Sequence, residues 1–251
     1  MEIEFNEEAI RNLVILYGMS QDINFDEHPV KRVPMTKSDA LALNYDFFKS
    51  LKSKNNVRFL KAIESYNDKI YESDVVEGGV YGIENKVKKI VVPKLDNVYA
   101  ASILTHECTH ALEFEKKVNV RSEEFHQEVV PFLNQFLFLE YLKKYYYIDE
   151  VIESNLDFMV HNQLLYNSRG YGDSMEDGRV NIPKAREHLK YIQGSLYSIV
   201  LYEWYKADED FMKLYSKIYT QNKRVEDLLK YYDINFGDID NMVTVKRLMK
   251  K

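Results

Sequence analysis

Cysteine is nearly missing from this chain. Cys108 is the single one in 251 residues, which excludes an intramolecular disulfide and fits a reducing compartment. No apolar run reaches bilayer length, and the opening residues MEIEFNEEAIRN are acidic where a secretion signal is basic. Membrane insertion and export are therefore not expected, and the expected setting is the cytoplasm. Massed basic residues are missing too. The 34 Lys and Arg are scattered among 40 Asp and Glu, for a net charge of −6, so nothing offers the counter-charge that a nucleic-acid backbone demands. No internal repeat or low-complexity tract interrupts the chain. With 45% hydrophobic and 29% charged residues, the composition is that of a folded protein and excludes wholesale disorder.

What is present is helical periodicity. Phe59, Leu60, Ile63, Tyr66 and Ile70 recur at steps of three and four, the spacing of one helix face. The same period runs over about 96–116. Long helices are expected near 38–53, 122–147, 150–166 and 184–207, with shorter ones at 7–17, 208–220 and 224–232. Thr36 and Ser38 are candidate caps for the helix at 38–53. Pro131 falls inside one of these helices and must kink it or occupy its first turn. The exception is GGVYGIENKVKKIVVPK, Gly78 to Lys94, whose β-branched alternation and glycine pair predict a short two-stranded element. A further break, NSRGYGDSMEDGRVNI at 167–182, holds three glycines and reads as a surface loop. The expected fold class is mainly α with a small β element, in a single domain spanning 1–251. The oligomeric state is not legible.

Residues 105–111 read THECTHA, a His-Glu-x-x-His sequence inside the helix expected at 96–116. Residues four apart on a helix project from one face, a turn apart, so His106 and His110 can offer two imidazoles to one zinc ion. Glu107 beside them has the reach of a general base acting on zinc-activated water. Cys108 points elsewhere around the helix and reads as packing. A catalytic zinc takes a third protein ligand and keeps one position open. The acidic residues downstream are Glu113, Glu115, Glu123, Glu124, Glu128 and Glu140. Glu113 and Glu115 follow too closely to turn back on the metal. Glu128 is favoured over Glu124. It follows His110 by 18 positions and stands beside Val129, Val130, Phe132 and Leu133, where an unpaired carboxylate is costly and a metal relieves the cost. His28, His126, His161 and His188 read as structural or surface residues, with His126 a candidate for a supporting contact behind the ligands.

The stretch FHQEVVPFLNQFLFLEYL, Phe125 to Leu142, resembles without gaps the segment that supplies the third zinc ligand in the family of oligoendopeptidase F and thimet oligopeptidase. The matching positions are Phe125, Glu128, Val129, Asn134, Leu137, Leu139, Tyr141 and Leu142. GGVYG and KKIVVPKLDNVYAASILTHE are similar, in the same order, to the family's Gly-Gly-x-Tyr strand, second strand and zinc helix. KYIQG, Lys190 to Gly194, resembles its Tyr-x-x-Gly segment. The likeness is clear over 76–142, looser over 184–234, and absent over 1–55, which reads as a helical N-terminal part. It implies a zincin-like metallopeptidase catalytic domain hydrolysing short peptides, with Zn2+ held by His106, His110 and Glu128 and with Glu107 as general base. It further implies that a strand edge at Gly78, Gly79 and Tyr81 holds the substrate backbone by β-addition, and that Tyr191 stabilises the oxyanion. The chain departs from the family pattern at Thr109, where Gly is usual, and at Glu113, where His is frequent. The family's cleft histidine falls near Asn181 and two of its tyrosines near Glu187 and Leu189, with His188 and Tyr197 the nearest substitutes. These departures motivate an alternative expectation: a catalytically weak zinc protein that binds peptides with an incomplete oxyanion site.

Overall fold

A helix that is apolar on every side cannot rest on a surface. VVPFLNQFLFLEYL is such a stretch, and in the computed structural model it forms a buried helix against which its neighbours pack. The structure describes residues 7–24, 30–51, 57–74, 78–115, 124–143, 145, 149–176, 179–221 and 223–237. Among them the chain runs α1 (Glu7–Gln21), α2 (Lys37–Ser50), α3 (Val57–Glu64), β1 (Ile70–Ser73), β2 (Gly79–Ile83), β3 (Lys86–Pro93), α4 (Val98–Glu115) and α5 (Val129–Leu142). It continues through α6 (Asp149–Phe158), α7 (Tyr166–Asp173), β4 (Met175–Glu176), β5 (Arg179–Val180), α8 (Ile182–Ala207), α9 (Phe211–Thr220) and α10 (Val225–Tyr231). The molecule is mainly helical with a small three-stranded sheet. No helix of the described residues is long and apolar enough to cross a membrane.

Three layers position the site. In the sheet, β3 is central, β1 lies parallel to it and β2 antiparallel. The β2–β3 turn is Glu84-Asn85, both with positive φ (52° and 58°), the twist a two-residue hairpin loop favours. β2 is therefore an edge strand. Val87, Ile90 and Val92 of β3 are buried on the side where α4 lies. α4 in turn packs on α5, and α5 on α8. Asn97 caps α4, its Oδ1 accepting from Ala100 N at 3.0 Å. Thr36 caps α2 in the same way, accepting from Asp39 N at 3.1 Å. Pro131 is the third residue of α5, in the first turn, where no amide donor is needed.

Three expectations from the sequence are corrected. The stripe Phe59–Ile70 is not one helix. α3 stops at Glu64, a 3-10 turn spans Asn67–Lys69, and Ile70 opens β1 opposite Ile90. The strand's partner is twenty residues away, and a local period carries no trace of it. The 167–182 segment is not a loop. A π-helical turn, Met159–Leu165, leads straight into α7, which runs to Asp173 before the β4–β5 pair. Its glycines mark close packing: a Cβ at Gly170 would lie 2.3 Å from the His188 ring, and one at Gly172 2.2 Å from the Tyr17 ring. The helix expected at 122–147 is shorter, with a separate 3-10 turn at Glu124–His126 ahead of α5.

Candidate metal centre

α4 is buried on almost every side, so its rotation decides what faces the cleft. A polar seam beside the histidine stripe fixes that rotation. Thr105 Oγ1 donates to Asn44 Oδ1 at 2.9 Å, and Gln135 Nε2 donates to Ser102 Oγ at 3.0 Å. Thr109 Oγ1 accepts from Asn134 Nδ2 at 2.8 Å. Asn134 is itself tied to Tyr219 at 2.6 Å and Tyr215 at 2.5 Å. With Ser102, Thr105 and Thr109 held against α2 and α5, the adjacent stripe, one residue further along the helix, carries His106 and His110 to the cleft.

Glu128 meets them there. It occupies the N-cap position of α5 but makes no capping bond. Its carboxylate turns to the histidines instead: Oε2 lies 3.2 Å from His106 Nε2 and 3.1 Å from His110 Nε2, and the two Nε2 atoms are 3.1 Å apart. Three lone-pair atoms thus form a nearly equilateral triangle. Tetrahedral ligands about 2.0–2.1 Å from a zinc ion stand roughly 3.3 Å from one another, so the three fit one metal ion. The three are buried or half-buried and could hold a cation together. Without a cation they must share protons. Burial alone would lower the His110 imidazole, but the Glu128 carboxylate overrides it and carries the pKa up to about 9. Burial would likewise raise Glu128, yet the paired imidazoles hold it well below the usual carboxylate range. The far nitrogen of His106, Nδ1, is buried with no hydrogen-bond partner among the described residues, so its tautomer lacks the usual support from behind.

The fold has a solved counterpart. A crystal structure described as that of a "putative peptidase" from Chlamydophila abortus matches with a TM-score of 0.54 and 11% identity. The match covers 97% of this chain and 52% of the other, so the chain spans about half the length of that protein. At this identity the likeness is one of fold. No family model matches the sequence, and no curated relative matches it significantly.

Around the triangle lies a cleft of about 620 Å³. Glu107 lines it and is buried; desolvation raises its carboxyl pKa, partly offset by the neighbouring imidazoles. It is pressed against Gly78, where a Cβ would lie 2.3 Å from Glu107 Oε1. Gly78, Gly79 and Val80 of the sheet edge form one wall, and Tyr191 and Lys190 of α8 belong to the lining as well. Tyr81 does not line the cleft and is 60% exposed. Glu113, one turn beyond His110, lines the cleft without joining the triangle, its carboxyl pushed up to about 8 by burial. Glu115 accepts from Val87 N and the Tyr66 hydroxyl, and Glu140 from the Tyr202 hydroxyl. Glu123 and the Glu124 side chain lie outside the described residues.

The positions flanking Tyr191 have other work. Asn181 caps α8, accepting from Lys184 N at 3.3 Å, and Leu189 is in the core. His188 Nδ1 pairs with Asn167 Oδ1 at 2.9 Å, over Gly170. Tyr197 is buried beside His126 and Phe236. Neither His188 nor Tyr197 lines the cleft. His126 ties the approach to Glu128 down through Glu226 at 2.9 Å, His161 pairs with Asp157, and His28 lies outside the described residues. Sequence reasoning missed Lys190, whose Nζ is 2.8 Å from Glu128 Oε1. Its signal was available: Lys190 and Gly194 of KYIQG share one face of an expected helix.

Proposed function

We propose that the chain is a zinc-dependent metallopeptidase that hydrolyses short peptides. The observation that carries this reading is the convergence of His106, His110 and Glu128 to within 3.2 Å of one another, with the Glu107 carboxylate lining the same cleft. Such a site lacks the four cysteine-rich ligands of a structural zinc and leaves a coordination position open. When bound, the ion supplies Lewis-acid polarisation of a carbonyl and brings the pKa of a coordinated water towards neutrality. The residues of the chain do the rest. His106, His110 and Glu128 hold the ion. Glu107 takes a proton from the attacking water and hands it to the leaving amine, a task suited to a buried carboxylate of raised pKa. Gly78 and Gly79, at the free edge of the sheet, offer backbone groups to an extended peptide. Tyr191 offers a phenol to the oxyanion, and Tyr81 stays a candidate for contact with a peptide that extends beyond the cleft.

Glu107→Gln tests the mechanism. Zinc content should be unchanged while turnover of a quenched fluorescent peptide library falls about a thousandfold or more; full activity in the variant sinks the assignment. A second reading, a peptide-binding zinc protein with weak or no turnover, draws on the use of Asn181 as a helix cap and of His188 as a partner for Asn167. Chelator-sensitive hydrolysis by the wild type rejects it.

A further inference from the structure

Lys190 and Gly194 lie four residues apart on α8 and share one face. Both approach Glu128. A Cβ on Gly194 would sit 2.3 Å from Glu128 Cβ, and Lys190 Nζ is 2.8 Å from Glu128 Oε1. The glycine sets how near α8 can come; the lysine then occupies the carboxylate oxygen that the imidazoles leave over. The two oxygens are thereby divided, Oε2 to His106 and His110, Oε1 to the ammonium. Glu128 is 2% exposed and the Lys190 side chain 21%, so water competes weakly for the pair, and a charge-assisted bond of this kind is strong. Lys190 Nζ also lies 5.4 Å from the Tyr191 ring, and the Glu187 and Glu107 carboxylates act on its charge.

We propose that Lys190 is a positioning residue that holds Glu128 as a one-oxygen metal ligand and so keeps a coordination place free for water. The proposal rests on the metallopeptidase reading, because it has meaning only if a cation sits at the triangle. A carboxylate with both oxygens free swings readily to two-oxygen binding. Here the swing requires the Lys190 bond to break first. With the ammonium gone, Oε1 would be a buried acceptor without a donor, and the metal is the nearest remedy.

Cobalt(II) in place of zinc reports coordination number through its visible absorption, which is strong for four ligands and weaker for five or six. The intact wild-type chain should give the strong spectrum. Lys190→Met should lose intensity as Oε1 joins the metal, and Lys190→Arg, whose guanidinium reaches the same oxygen, should regain it. Thermal melts of the metal-free proteins show which variants fold. If Lys190→Met does not, X-ray absorption on the metal-loaded wild type decides alone: one Glu128 oxygen at bonding distance supports the proposal, and two overturn it. Identical cobalt spectra for wild type and Lys190→Met also overturn it, while leaving the metallopeptidase reading in place. A wild type that takes up neither cobalt nor zinc overturns both.

Discussion

Gly194 has no side chain, and Glu128 supplies the reason. A methyl group there would have to displace Glu128 Cβ from 2.3 Å or push α8 outward. Either movement loosens the carboxylate that completes the triangle. Gly194→Ala is expected to cost about 1–3 kcal/mol of stability, as overpacking does, and to weaken zinc binding roughly tenfold or more, as changes behind a ligand do. Urea unfolding and competition with a chromophoric chelator measure the two effects. Unchanged zinc affinity would show that α8 does not set the ligand. Gly78 is pressed just as closely against Glu107, so the same argument makes it a packing requirement as well as a candidate substrate contact. In the sequence both glycines stood out as parts of motifs. Which side chain each one accommodates became visible only with the helices and strand in place.

At the scale of elements, the rotation of α4 is the quantity that matters. The stripe beside its histidines carries Ser102, Thr105 and Thr109, each bonded to a polar side chain of α2 or α5. Asn134 is the hub, joined to Thr109, Tyr215 and Tyr219. Asn134→Leu keeps the shape but takes one hydrogen bond from each of three buried hydroxyls, which retain Thr105 O for Thr109 and each other for Tyr215 and Tyr219. A loss of about 2–3 kcal/mol is expected, since each buried hydrogen bond contributes on the order of 1 kcal/mol net; thermal unfolding of the metal-free protein checks it. Full stability in the variant would show that packing alone orients α4. The Thr109 hydroxyl serves α5, accepting from Asn134.

At the scale of the whole molecule, the triangle joins α4 to the start of α5 across the 13 residues between Glu115 and Val129. A cation bound there would favour the folded chain, the only state that brings the three ligands together, and would stabilise it by mass action. At a thousandfold excess over its dissociation constant the gain is about 4 kcal/mol, equivalent to roughly 10 °C in a chain of this size. Zinc should raise the melting temperature by about that amount, a chelator should reverse the rise, and His110→Ala should abolish it. A melting curve indifferent to zinc in the wild type would remove the metal from the account.

What the sequence determined by itself is whatever repeats within a few residues. The helical period of α4 put His106 and His110 on one face. The apolar surroundings of Glu128 marked it among six carboxylates, and the alternation from Gly78 to Lys94 announced a hairpin. The tertiary structure alone decided what depends on distant partners. It paired β1 with β3, kept 167–173 helical by seating rings over Gly170 and Gly172, turned His188 towards Asn167, and brought the Lys190 ammonium to the free oxygen of Glu128. Helix period and strand alternation are properties of neighbouring residues, whereas sheet pairing and close approach across a glycine arise between segments that the chain itself holds far apart.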